Sequence, residues 1–368
     1  MGASANDAPL RQPVECRLFI DDEELAAFYP WLREVQVSLE RGAAGVGTLS
    51  FDTFRDETGE WWLQDSELLR PWRRVVVMAA FGDHQQPVLH GVIREVTVTA
   101  PESMAEARVE VALQDESLLL DRGHHRRCWS RRDEPRRDGE IAAEIAASHG
   151  LAFEGDDGLT NAALNQDETD IRFLRRRAEA NGFELFVEQG VLHFHAPRLE
   201  AGDQPPLLVH AGSDTNCLSV DIRHDGHLPD AVRVVRADAD ESEAHAELHE
   251  PDLPLLGRQS AGSAGMGHEP FVWDLPRPGG ATQAEVVARA IAAANENAWK
   301  VVAEGELDGV RYGHVLRPHG TVVIDGVGST YGGRYYVAEV THRFAADGYR
   351  QRFRLIRNAL GQDAWPES

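Results

Sequence analysis

Between Asn165 and His195 the sequence NQDETDIRFLRRRAEANGFELFVEQGVLHFH leaves little freedom of local structure. Thr169 stands where a hydroxyl can cap a free first-turn amide, and Asp170 adds negative charge where the helix dipole favours it. Ile171, Leu174 and Ala178 recur at helical spacing, while Arg172, Arg175, Arg176 and Glu179 fall mostly outside that stripe. Asn181-Gly182 ends the helix, because glycine accepts the left-handed conformation of a helix C-terminus. FELFVE and VLHFHA then form two apolar-rich runs around Gln189-Gly190, which reads as a hairpin. The stretch predicts one αββ unit.

A chain of 368 residues exceeds a single core and predicts two or three domains. The formal charge of −24, from 61 acidic against 37 basic residues, argues against a general nucleic-acid coat or a binder of anionic membranes. It suits a soluble surface or the wall of a passage for polyanions. Cys16, Cys128 and Cys217 lie far apart without CxxC spacing, so neither a disulfide framework nor a zinc site is expected. The first residues, MGASANDAPLRQ, lack the apolar core of a signal peptide, and no stretch reaches the roughly 18 apolar residues of a membrane span. The expected setting is a reducing cytoplasm, with any role outside the cell reached inside a larger particle or by lysis.

Residues 14 to 99 read as β structure. CRLFIDD, VQVSLE, TLSFDTF, RVVVMAAF and VIREVTVTA alternate or run on in β-branched and aromatic residues, and RVEVALQD completes the series. Such spacing predicts a small barrel or sandwich. The RGAAGVG loop has no Lys-Ser or Lys-Thr after it, so it reads as turn geometry and not as a phosphate loop. DRGHHRRCWSRRDEPRR then places seven arginines with His124, His125 and Trp129 in a chain that is acidic elsewhere. It reads as a solvated linker or as an electrostatic contact with an acidic neighbouring subunit, with Arg126, Arg127, Arg131 and Arg132 as the contact candidates. Asp138 is expected to cap the helix EIAAEIAASHG, which Gly150 stops. Pro205-Pro206 closes this α/β region. LLVHAG, CLSVDIRHDG and AVRVVRADA resume the β pattern, and the span 237–250, with six acidic residues and no Lys or Arg, reads as a flexible insertion. Residues 257 to 281 read as loop, and Thr282 to Glu285 form a capping box for a helix over 282–299. Three strands, HGTVVIDG, GRYYVAEVTHRF and YRQRFRLIRNA, close the chain. The organisation is therefore mixed α+β, mainly β: a first tube-like β domain (1–117), a small α/β domain (118–205) and a second tube-like β domain (206–368), the tube-like units being barrels or sandwiches.

Chemistry-bearing motifs are missing: HExxH, GxSxG, a Walker loop, GxGxxG before a helix and a DxDxDG calcium loop are all absent. His193 and His195 share one strand face but lack a third donor, so sheet positions are expected rather than a metal site. Glu168 and Asp170 are explained by helix capping and the dipole without an acid/base role. No catalytic residue, cofactor or metal is expected. Trp61-Trp62 is the only hint of a carbohydrate platform, and two residues alternating across a strand cannot form one.

QDETDIRFLRRRAEANGFELFVEQGVLHF resembles the signature of the phage late control protein D family through Glu168, Thr169, Asp170, Phe173, Leu174, Arg176, Ala178, Glu179 and Gly182. The ending is similar too: Pro318 to Gly320, Val322 to Gly326, then Gly333, Tyr336, Val337, Val340, His342 and Phe344, Gly348-Tyr349 and FRLIRN. Arg177 stands where that family often has leucine. Type VI secretion spike proteins share the signature and continue into a needle, whereas this chain stops at Ser368 and resembles the hub alone. The resemblance implies a baseplate hub of a contractile phage tail or extracellular injection system. It implies a homotrimeric ring that adapts a hexameric inner tube or its initiator to a trimeric spike protein beside a LysM-type adaptor, with DNA or protein cargo passing through the lumen. It also implies assembly in the cytoplasm before incorporation into the virion or particle. The rival reading is a tail-associated cell-wall hydrolase or peptidase.

Overall fold

In the computed structural model, which describes residues 14–236, 245–262, 267–276 and 282–362, the alternating runs pair as their pattern requires. Glu15–Ile20, Arg74–Phe81, His84–Thr99, Arg108–Asp115, Val46–Asp52 and Leu32–Glu40 lie side by side, each antiparallel to the next. Their inward residues, among them Leu18, Ile20, Val35, Val37, Leu49, Phe51, Val75 and Val77, form one apolar core. The sheet does not stop there. Leu32–Glu40 also pairs with Gly333–Ala345, from Glu40 opposite Glu339 to Glu34 opposite Ala345. Beyond it follow Gly348–Arg357, Val301–Asp308 and Cys217–His224, so both β regions share a single thirteen-stranded sheet. The protein is mixed α+β and mainly β.

The pairing of the two regions places C-terminal residues inside the N-terminal core. Phe344 and Tyr349 stack with ring centroids 4.1 Å apart and belong to the same cluster as Leu18 and Phe51. His342 is fully buried beside them, with Nδ1 2.9 Å from the Tyr349 hydroxyl, and burial pushes its pKa down to about 3. It is therefore a neutral packing residue.

Residues between the two β regions build a separate core of Trp129, Ile141, Ile145, Phe173, Leu174, Leu192 and Phe194. Helix α1 (Asp138–Ser148) and helix α2 (Asp170–Asn181) contribute their apolar faces to it. Glu184–Glu188 and Val191–His195 form the expected hairpin, with Gln189 and Gly190 both at positive φ, as the right-handed twist of the strands demands. Helix α3 (Gln283–Asn297) opens with the expected capping box: Thr282 Oγ1 accepts from the Glu285 amide at 3.2 Å, and the Thr282 amide donates to Glu285 Oε2 at 3.0 Å.

Several expectations need correction. The arginine-rich run is not a linker, because His124–Ser130 pairs along its length with Leu164–Thr169 and buries Trp129, whose Nε1 donates to Gln166 Oε1 at 2.8 Å. Thr169 occupies the N-cap position of α2, but its hydroxyl donates to Asp121 Oδ1 at 2.7 Å and accepts from no first-turn amide. Asp138 is the first residue of α1, with Arg137 at the N-cap position. In the acidic span, His245–His249 is a strand against Ala231–Arg236, and 237–244 lie outside the described residues. The stretch called loop contains Val272–Leu275, parallel to Ala231–Arg236. Pro205-Pro206 sits inside the strand Asp203–Leu208, at a register shift, where a missing amide interrupts little of the ladder. Trp61 and Trp62 lie in a turn-rich segment and not on a regular strand, with Trp62 packed edge-on against Phe28.

Gly182 adopts φ +70° at the end of α2, and a Cβ there would lie 2.8 Å from the Ala292 Cβ of α3. Gly182→Ala should therefore lower stability by about 2 kcal/mol in a urea titration. A loss below about 0.5 kcal/mol would show that α2 and α3 are not in firm contact.

Candidate functional site

The alternation of the strand Glu184–Glu188 sends Leu185 and Val187 into the core of the α/β region. Glu184, Phe186 and Glu188 consequently face away from it, toward both β regions. Glu184 is 3% exposed and is gripped from three sides. Arg41 Nε donates to its Oε1 at 2.5 Å, the Tyr336 hydroxyl donates to Oε2 at 2.6 Å, and His319 Nδ1 lies 3.0 Å from Oε2. Two residues on, Phe186 is sandwiched between the parallel rings of His193 and His319, at centroid distances of 4.4 and 3.7 Å. Glu188 pairs with Arg317, which also donates to the Pro87 carbonyl at 2.9 Å. One face of one strand thus ties three parts of the chain together.

His319 holds a left-handed backbone, φ +63°, directly after Pro318. A non-glycine residue pays for that conformation only where its surroundings fix it, and here the Glu184 contact and the Phe186 stack do so. Arg41 reaches further: its Nη1 donates to Glu296 Oε2 at 2.8 Å, at the end of α3.

Burial alone would raise the Glu184 pKa, but His319, Arg41 and Tyr336 outweigh it and hold the carboxyl at about 2. Its folded pKa lies below its unfolded one, so its contribution is complete above the ordinary carboxylate range and disappears as pH falls toward 2. Acid unfolding of the wild type, compared with Glu184→Gln, is expected to show a difference in stability that shrinks between pH about 4.5 and 2. A difference independent of pH across that window would contradict the ion-paired assignment.

A second buried network fixes the helices. Arg177 is 3% exposed and donates to Asp138 Oδ1 at 2.7 Å and Oδ2 at 3.0 Å, to Asn161 Oδ1 at 2.9 Å and to Glu285 Oε1 at 3.1 Å. Asn161 and Asn181 donate in turn to Asp138, at 2.9 and 2.7 Å. α1, α2 and the start of α3 meet at this one guanidinium. Glu285 is also the capping-box residue of α3, so α3 is held near its start by Arg177 and near its end by Arg41.

Of the residues singled out in the sequence, Tyr336 belongs to the Glu184 cluster, and Val337 and His342 lie buried along the same strand. Gly333 takes φ +118° against the Arg357 guanidinium. Phe173 and Leu174 are core residues of α2, and Glu168 pairs with Arg176 at 2.7 Å. Asp170 is buried and accepts from Gln166 Nε2 at 2.7 Å, with His149 Nε2 at 2.8 Å. Glu179 is exposed on α2. Both carboxylates of the Glu168/Asp170 pair are therefore engaged locally. His193 and His195 sit 5.8 Å apart with perpendicular rings, and His195 Nδ1 lies 2.8 Å from the Ala196 carbonyl. No group of three His, Cys, Asp or Glu among the described residues is placed to hold a metal ion. Arg126, Arg131 and Arg132 are exposed, and Arg127 lies over the Trp129 ring at 5.4 Å.

Sequence reasoning missed Glu184, Arg41 and His319. Their signal was weak: three residues of ordinary polarity, with Arg41 143 positions before Glu184 and His319 135 positions after it, that meet only after the sheet closes. Arg177 carried a better one, since it lies four residues after Phe173 and three after Leu174, on the buried stripe.

The family described as the Alg8 N-terminal domain matches residues 12–346. No curated protein matches the sequence. Among solved structures, the 43 kDa tail protein of prophage MuSo2 from Shewanella oneidensis superposes with a TM-score of 0.69 at 12% identity, over 94% of this chain and 99% of that one. A tail protein from Neisseria meningitidis MC58 gives 0.61 at 13% identity, over 95% and 98%. The E. coli c3393 protein, a type VI secretion component described as similar to the T4 tail proteins gp27 and gp5, gives 0.55 at 13% identity, over 96% and 80%. At these identities the likeness is one of fold.

Proposed function

The chain belongs to the Alg8 N-terminal domain family, and from the tail-protein fold of that chain we propose that it is a structural hub of a contractile tail or injection system. The observation that carries the reading is the end-to-end correspondence with a prophage tail protein and a second tail protein, in which almost the whole of both chains takes part. The late control protein D signature supports the finer form: a homotrimeric ring of two tube-like β domains per chain, with the α/β region between them, adapting an inner tube to a spike. The Glu184 cluster fits such a role. It is a fixed joint, with its carboxylate saturated by three donors, and a joint of that kind holds the β regions and the α/β region at one mutual orientation. The acidic excess of the chain suits a lumen that lets DNA or acidic protein cargo pass without sticking. Deleting the gene in a producing strain and imaging the lysate by electron microscopy tests the proposal. Loss of particles that carry both tube and spike is expected; complete, spiked particles would refute it.

A further inference from the structure

The basic strand does not use all its charge locally. Arg126 pairs with Asp167 at 2.8 Å, Arg136 with Glu144 at 2.9 Å, and Arg137 with Asp157. Arg131 and Arg132, which share their tight turn with Asp133 and Glu134, carry no ion pair among the described residues and project from the surface.

Elsewhere the chain carries the complement. A groove is walled by Pro229, Pro251, Leu253, Leu255, Pro270 and Ala298. Leu255 at its edge and Phe271, next to Pro270, are 47% and 40% exposed, more than apolar residues of their size need be. Glu250 lines the groove and Glu269 adjoins Pro270; both are exposed, and neither has an ion pair among the described residues. The one cation at its floor, Lys300, is buried against Asp230 at 2.9 Å and the Pro229 carbonyl at 3.2 Å, so it does not cancel them. An apolar centre with a charged rim is the anatomy of a protein interface, and arginine suits it, because its guanidinium both stacks on an aromatic face and forks onto a carboxylate. The groove is also presented rigidly: the neighbouring strands Ala231–Arg236 and His245–His249 are backed by α3, whose two ends are held by Arg177 and Arg41.

We propose that the Arg131–Arg132 turn of one copy docks in this groove of a second copy, with the arginines paired to Glu250 and Glu269. The inference rests on the hub reading and deepens it. The two patches are different surfaces, so the contact is head-to-tail, the type from which rings are built when the rotation between copies closes. The chain's net charge of −24 makes a second copy a natural partner for exposed arginines that form no ion pair among the described residues.

The test compares the assembly constant of the wild type with R131E/R132E, E250R/E269R and the chain carrying all four changes, by sedimentation velocity. Each pair of reversals is expected to weaken assembly about tenfold or more, and the fourfold variant to restore it to within about threefold of wild type. Restoration distinguishes the contact from misfolding. A wild type that assembles while the reversals have no effect, or while the fourfold variant stays weak, overturns the contact and leaves the hub reading standing, a spike protein then being the occupant to examine. A wild type that never assembles overturns both.

Discussion

Arg177→Ala is expected to lower stability by about 3–5 kcal/mol, because it leaves the Asp138 carboxylate buried and uncompensated. The Asp138 side chain is fully buried, and Asn161 and Asn181 donate to it without supplying charge. The paired variant Arg177→Leu with Asp138→Asn should recover most of that loss. Leucine fills the space beside Phe173 and Leu174, and asparagine keeps one acceptor oxygen where Asn161 and Asn181 now donate to two. The difference between Arg177→Leu alone and the double variant, read from guanidinium midpoints at constant slope, isolates the buried charge at constant packing. A loss below about 1 kcal/mol for Arg177→Ala would show that Asp138 finds water or another cation.

Glu184→Ala is the second large effect, again about 3–5 kcal/mol, but of different character. It leaves the Tyr336 hydroxyl, buried beneath the Trp299 ring, without its acceptor, and removes the partner that fixes His319 in its left-handed conformation. Glu184→Gln retains an acceptor for Tyr336 and forfeits only the charge, so about 2 kcal/mol is expected. Arg41→Ala should also release the end of α3, since Glu296 loses its partner. Hydrogen exchange separates the cases. In Arg41→Ala the amides at the end of α3 should exchange faster, while those of the strand Val191–His195 stay protected. Faster exchange throughout the α/β core would mean that Arg41 supports its folding and does not merely fasten it.

These two clusters also mark where the sequence could and could not be read. Period-two alternation exposed the first six strands, the apolar stripe and the Gly182 stop placed α2, and the capping box placed α3, because these signals are local. The strand Val301–Asp308 escaped, as Glu304 and Glu306 give VVAEGELD the look of a loop. Their partners lie across the sheet: Glu306 pairs with Arg352 at 2.9 Å and Glu304 with Arg354 at 3.7 Å. The arginine-rich run misled in the same way, since its strand partner Leu164–Thr169 begins more than thirty residues later. Arg177 was legible in part, because its spacing from Phe173 and Leu174 puts it on the buried stripe even though RRR reads as a charged face. Glu184 was not, because nothing within its own strand reveals that Arg41, His319 and Tyr336 will close over it. The fold lay mostly in local patterns, and the joint lay in long-range pairings between residues of common type.

The most direct test of the hub account is native mass spectrometry of the purified chain, alone and mixed with a trimeric spike protein from the same genome. The account predicts a species of three chains, which binds one trimeric spike as a unit. A single-chain mass at every concentration, unchanged by the spike, would contradict it.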